Sequence, residues 1–181
     1  MEELSTSLEI ASALLLYPTE WNSQIEEIQD LISSIEHEQT RKHLESFLDT
    51  YLQANKEDWI ESYVQTVDFG KQTNLYLTYA EHGEQKERGT VLLELKELFT
   101  MNGFNVVDEE MPDYLPLILE FCAHAPIDAI RWVIDHYQKV IKQKQSEFQN
   151  VDSPYWHIIA SVLSIWEAYG LNPIVKEEDK Q

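Results

Sequence analysis

Cysteine occurs once in the chain, at Cys122. A single thiol closes no disulfide within the chain and suits a reducing compartment. Set in an apolar run, it reads as a small core residue. Glycine is scarce, with five in 181 residues, and none clusters into a loop able to cradle phosphates. Cations are few, 13 against 33 carboxylates, for a net charge of −20. Such a field repels nucleic-acid backbones and anionic lipid and attracts basic partners. Nucleic-acid binding is therefore excluded from the expected functions. No apolar run approaches membrane-spanning length. The N-terminal "MEELSTSLEIASALLLYP" is acidic where a signal peptide would be basic. The expectation is a cytoplasmic protein without stable membrane association.

Strand patterns are missing as well. No segment sustains alternation bounded by hairpin dipeptides, although apolar residues nearly alternate in "NLYLTYA". What is present is helical periodicity. Leu4, Leu8, Ala11 and Leu15 make one stripe that stops at Pro18. Trp21, Ile25, Ile28, Ile32 and Ile35 make a second, with Thr19 as its cap candidate. Leu44, Phe47, Leu48 and Tyr51 make a third, and Trp59, Ile60, Tyr63 and Val64 a fourth. "TNLYLTYAEHG" reads as a short helix ending at Gly83, and the next runs to Gly103. Further helices follow in "PDYLPLILEFCAHA", from Pro126, and from Ser153-Pro154, where serine is the expected cap. The sum is an all-α fold, one compact bundle of about eight or nine helices over residues 1–172, with a disordered tail at 173–181. No fixed-period repeat points to a solenoid.

Motifs for chemistry are lacking too. Three residues before each histidine stand Ser34, Thr40, Tyr79, Phe121, Val133 and Pro154, so no Glu-x-x-His pair for a di-iron bundle exists. There is no His-Glu-x-x-His zinc motif and no Gly-x-Ser-x-Gly nucleophile turn. A resident metal or cofactor is not expected, and neither is catalysis.

One stretch stands out: "DEEMPDYLPLILEF", Asp108 to Phe121. With Asp113 as helix cap, Tyr114, Leu115 and Pro116 fill the first turn, where proline costs no intrahelical bond. Leu115, Ile118, Leu119 and Cys122 form an apolar stripe. Leu117, Glu120, Phe121 and His124 form a second at the same spacing. Two readings stay open. Glu120 edges a groove floored by Leu117 and Phe121, suited to a basic amphipathic peptide. Or the helix is core, with Glu120 paired to Arg131 or Arg88, since an unpaired buried carboxylate costs several kcal/mol.

Three stretches carry a resemblance: "SYVQTVDFGKQTNLYLTYAEHGEQKERG" (Ser62 to Gly89) with "LLELK" (Leu92 to Lys96), "MPDYLPLILEF" (Met111 to Phe121), and "LLLYPTEW" (Leu14 to Trp21). Together they make the chain similar to the respiratory nitrate reductase assembly chaperones, the NarJ-type or delta-subunit family. The likeness covers the chain to about residue 135. It departs at Val67, where a larger aromatic residue is expected, and at Gln85, Lys86 and Glu87, a less basic turn. The resemblance implies an all-helical, non-catalytic chaperone. Its partner would be the N-terminal segment of the nitrate reductase catalytic (alpha) subunit. It would hold that client while molybdenum cofactor is inserted, the cofactor belonging to the client. Carried onto this sequence, the client contacts are Asp113, Tyr114, Leu117, Glu120, Phe121, Tyr79 and His82. Asp68 and Arg88 would pair as an internal brace. Tyr76 and Tyr79 also suit a core, and His82 a helix end. The rival classes are a generic acidic helical adaptor for another basic peptide and a helical enzyme with a nonlocal carboxylate–histidine site.

Overall fold

The computed structural model describes residues 1–79, 86–105 and 110–173, with backbone alone at 86 and 87. The expected tail, apart from Pro173, lies outside the described residues, as does His82. Nine α-helices are described: α1 (Glu2–Leu15), α2 (Pro18–Trp21), α3 (Ile25–Ser34), α4 (Glu38–Gln53), α5 (Lys56–Tyr63), α6 (Lys86–Met101), α7 (Leu115–His124), α8 (Ile127–Asn150) and α9 (Trp156–Ala168). The described residues contain no strand beyond one isolated antiparallel bridge, Tyr76 to Tyr114. The fold is an all-α bundle.

Helix α1 is the central rod. Leu4, Leu8, Ala11, Leu14 and Leu15 are all buried, and the helix packs against α7 on one side and α9 on another. The approach to α7 is close because α1 carries serines at the contact. Ser5 Oγ donates to the Ala123 carbonyl at 2.7 Å, and Ser12 Oγ donates to the Pro116 carbonyl at 2.8 Å. The low residue of one helix meets the high residue of the other, so the pair runs antiparallel. Helix α9 lies between α4 and α8. An aromatic hub fills the junction of α2, α4, α5 and the start of α9. Trp21 stands 4.5 Å from Tyr51, Phe47 stands 5.1 Å from Tyr155, and Trp59 Nε1 donates to the Tyr155 hydroxyl at 3.1 Å. Cys122 is buried, and burial pushes its thiol well above the usual range, which leaves it unreactive.

Several local expectations are corrected. The helix read across 19–35 breaks into α2, a 3₁₀ turn (Asn22–Gln24) and α3. Pro18 opens α2 in the first turn, and Thr19 caps nothing. Ser153 does not cap α9 with its side chain; its carbonyl accepts from the Trp156 N–H, and the helix begins through a tight turn. The short helix expected over 73–83 is, over its described part to Thr78, extended and turned chain. Leu75 and Leu77 point into the core while Tyr76 faces out. Pairing with residues 113–115 outcompetes helix there: Leu77 N–H donates to the Asp113 carbonyl at 3.0 Å, and Leu115 N–H to the Leu75 carbonyl at 2.8 Å.

Helix α6 ends as glycine placement predicts. Gly103 adopts φ +83°, a left-handed conformation open to glycine, and Phe104 N–H closes back on the Phe99 carbonyl at 2.9 Å. That closure brings Phe104 over α7.

Candidate functional site

The Pro-Asp-Tyr-Leu-Pro stretch and the segment before α6 meet at Asp113. Asp113 is fully buried. It is not a helix cap: α7 starts at Leu115, and no side chain caps it. Its carboxylate accepts instead from the Thr78 N–H at 3.1 Å, the Thr78 hydroxyl at 2.6 Å and Arg88 Nη2 at 3.2 Å. Arg88 Nε also donates to the Thr78 hydroxyl oxygen at 3.0 Å. Both carboxylate oxygens and the Thr78 hydroxyl are engaged, which is what a buried charge requires. Arg88 thus braces Asp113, not Asp68; Asp68 is exposed. The guanidinium also sits 5.5 Å from the Tyr79 ring centre, so Tyr79 shields the pair while leaving part of its ring in solvent.

The knot sets the direction of Tyr114. Its ring lies 5.3 Å from Tyr76. The Tyr76 hydroxyl donates to Glu110 Oε1 at 3.0 Å, and Glu110 also accepts from the Met111 N–H at 2.8 Å. Burial first, and then the charges of Glu110, Glu20 and Asp68, push the Tyr114 phenol up to about 12, against a hydrogen bond from Tyr63 that lowers it. Tyr114 is therefore a neutral, half-buried ring surrounded by carboxylates.

Beside it opens a cleft of about 300 Å³ lined by Ser12, Leu16, Glu20, Glu110, Tyr114, Pro116, Leu117 and Glu120. Its floor is apolar: Leu16 from the end of α1, Pro116 and Leu117 from α7. Its rim carries three carboxylates and, among the described residues, no lysine or arginine. Pro116, buried beneath the cleft, contributes by subtraction, since it has no N–H to satisfy. Glu20 is delivered by the single turn of α2, whose other face buries Trp21. Sequence reasoning missed Glu20, Glu110 and Leu16. The one available signal was "LLLYPTEW", where a proline turn directly follows an apolar run.

The structure divides the expected contacts. Tyr114, Leu117 and Glu120 line the cleft. Glu120 is exposed and, among the described residues, forms no ion pair with Arg131 or Arg88, so the paired-core reading of α7 falls. Asp113 lies beneath the cleft and acts through Tyr114. Phe121 is only 3 % exposed. It packs 4.4 Å from Phe99 and 5.0 Å from Phe104, so the α6 end claims it for the core and the groove floor loses it. The apolar arc of α7 is simply wider than one stripe. Tyr79 is partly exposed beside Arg88 and is not among the residues lining the cleft.

A larger recess, about 520 Å³, lies between α4 and α9 and is lined by His37, Glu38, Gln39, Lys42, His43, Ser46 and His157. It is lined by polar and charged residues alone, and Lys42 pairs with Glu38 one turn away on α4 at 2.5 Å. Its one carboxylate is already paired with a lysine, whereas three carboxylates line the smaller cleft. Among the described residues no cluster of three or more His, Cys, Asp or Glu could hold a metal ion, and no helix is long and apolar enough to cross a membrane.

Comparison with known proteins gives a consistent neighbourhood. The profile of the nitrate reductase delta subunit family matches residues 16–160. A Bacillus subtilis protein named as a probable nitrate reductase molybdenum cofactor assembly chaperone, NarJ, is 40% identical over 166 residues, covering 91% of this chain and 90% of that one. The Escherichia coli K12 nitrate reductase molybdenum cofactor assembly chaperone NarJ is 32% identical over 122 residues, 66% of this chain and 52% of its own. A nitrate reductase-like protein NarX of Mycobacterium tuberculosis is 30% identical over 108 residues, 60% of this chain and 17% of its own length.

Proposed function

The chain belongs to the nitrate reductase delta subunit family, and on that premise we propose that it is a cytoplasmic assembly chaperone for nitrate reductase. It holds the N-terminal segment of the catalytic subunit while molybdenum cofactor enters that subunit. The relatives' names supply the assembly role and the client enzyme. The cleft supplies the mode of capture, and it is the observation that carries the reading: an apolar floor of Leu16, Pro116 and Leu117 under the carboxylates of Glu20, Glu110 and Glu120.

Such a cleft fits one kind of ligand. A helix or extended strand with aliphatic side chains on one face and lysine or arginine on the other buries the first on the floor and sets the second among the carboxylates. Glu20 and Glu120 are exposed, so each contact to them is worth about 0.2–1 kcal/mol, and they act more on encounter rate and selectivity than on affinity. The floor supplies most of the binding energy, at about 25 cal/mol per Å² of apolar area covered. A ligand held this way is held reversibly, as assembly requires. The molybdenum cofactor is the client's cargo, and no residue of this chain is assigned to it. Residues 1–172 act as one chaperone domain.

The test is genetic and analytical. In a strain lacking this chain, the catalytic subunit is purified and its molybdenum measured. The proposal predicts an abundant but molybdenum-poor subunit, restored by the wild-type chain. A fully loaded subunit in the deletion strain overturns it.

A further inference from the structure

Phe69 is 79 % exposed, yet it stands on one of the most heavily tied turns in the molecule. A single exposed phenylalanine means little by itself. The turn beneath it is what singles it out. Helix α5 does not end in an ordinary cap. It widens into a π-helical turn (Val64–Asp68), closed by Phe69 N–H donating to the Val64 carbonyl at 3.0 Å. Such turns are rare and recur at functional sites.

Gly70 follows, and a Cβ there would strike the Thr66 carbonyl and the Thr73 hydroxyl. No other residue fits without moving backbone. The Thr73 hydroxyl donates to the Thr66 carbonyl. Asn74 N–H donates to the Gly70 carbonyl at 3.0 Å, its side-chain amide to the Lys71 carbonyl at 2.7 Å, and its Oδ1 accepts from Tyr76 N–H at 3.1 Å. From below, the buried Lys144 of α8 donates to the Gln72 carbonyl and pairs with Glu147 at 3.4 Å. Side chains from two parts of the chain thus hold a turn whose tip is a benzyl group in water.

The turn is also continuous with the cleft. At its start the Tyr63 hydroxyl donates to the Leu15 carbonyl at 3.0 Å, next to Leu16 of the cleft, and at its end Asn74 holds the N–H of Tyr76, whose ring lies 5.3 Å from Tyr114. The turn itself carries one anion, Asp68, and one cation, Lys71, so the local charge is set by Glu20 and Glu110 across Tyr114. From this arrangement we infer that Phe69 is a second, pre-ordered anchor for the client's basic amphipathic leader, gripping an apolar side chain that extends past Tyr114 beyond the floor at Leu117. The inference rests on the client-binding reading above. Rigidity is the reason it works: the backbone that carries the ring is fixed before binding, so only the ring's own torsions are ordered on contact.

Titration calorimetry with the N-terminal peptide of the catalytic subunit tests it, using the full chain and its Phe69→Ala, Phe69→Leu and Glu120→Lys variants. Phe69→Ala is expected to keep the wild-type circular dichroism and melting temperature, because the ring covers nothing in the free protein. Its affinity is expected to fall about tenfold, the size of burying most of a phenylalanine, with Phe69→Leu recovering part. If Phe69→Ala binds as wild type while Glu120→Lys binds more weakly, the second anchor is refuted and the cleft stands. If the wild-type chain does not bind the peptide, both are refuted.

Discussion

Arg88 Nη2 lies 3.2 Å from Asp113 Oδ2, and that carboxylate has no exposed surface. The pair joins the start of α6 to the residue before Tyr114, so the tyrosine that walls the cleft is aimed by an ion pair whose partners stand 25 residues apart in sequence. Removing one partner strands the other in the core. Arg88→Ala is expected to cost about 3 kcal/mol, the lower end of the range for broken buried pairs because the guanidinium keeps some solvent. Urea denaturation followed by circular dichroism measures it. Asp113→Asn, which keeps the shape and part of the hydrogen bonding, is expected to cost less.

The same relationship shows where sequence reasoning runs out. Helix positions were legible because an apolar stripe at a 3.6 period is local, and α1, α4 and α8 follow it closely. Asp113 was misassigned because a capping role depends only on its chain neighbours, whereas Thr78 and Arg88 meet it through the fold. Residues 75–77 are ambiguous between helix and strand in sequence, since Leu75 and Leu77 alternate with Tyr76; the bridge to Tyr114 decides. On α7, spacing put Leu117, Glu120 and Phe121 on one stripe, but only the position of Phe99 and Phe104 tells which of them is covered. Glu20 and Glu110 had no local signal as cleft residues, since the cleft exists only once α1, α2 and α7 are together.

Phe121 and Leu117 separate core from groove. Phe121→Ala leaves a cavity under Phe99 and Phe104 and is expected to cost about 3–5 kcal/mol. Leu117→Ser, at a half-buried wall position, is expected to cost less than about 2 kcal/mol in stability and to weaken peptide binding instead. Denaturation and titration of the two variants side by side show the contrast.

The imidazoles of His43 and His157 meet through their Nδ1 atoms at 3.2 Å between α4 and α9. Burial lowers both from the ordinary value of 6.5, and each proton would also repel the other; Lys42, Glu38 and His37 complete the surroundings. A base with a depressed folded pKa is protonated first in the unfolded chain. Its stabilising contribution is full above pH 6.5 and is lost as pH falls through the folded values. The melting temperature is expected to drop between pH 7 and pH 5, and a His157→Gln variant to show a shallower drop over the same window.

Gly70 gives a test of the turn beneath Phe69. Gly70→Ala drives a methyl group into the Thr66 carbonyl and is expected to cost about 1–3 kcal/mol through backbone displacement. Amide hydrogen exchange is expected to rise at residues 64–74 before it rises elsewhere.

The central claim is that the carboxylate-rimmed cleft captures a cationic segment. Calorimetric titration of the catalytic subunit's N-terminal peptide, at low and high salt, against the wild-type chain and a Glu20→Lys/Glu120→Lys variant, tests it most directly. Wild-type affinity is expected to fall as salt rises, and the double reversal to bind about tenfold more weakly at low salt with its helicity intact, because each exposed charge contributes about 0.2–1 kcal/mol and is turned from attraction to repulsion. Equal affinity for the two proteins, unchanged by salt, would contradict it.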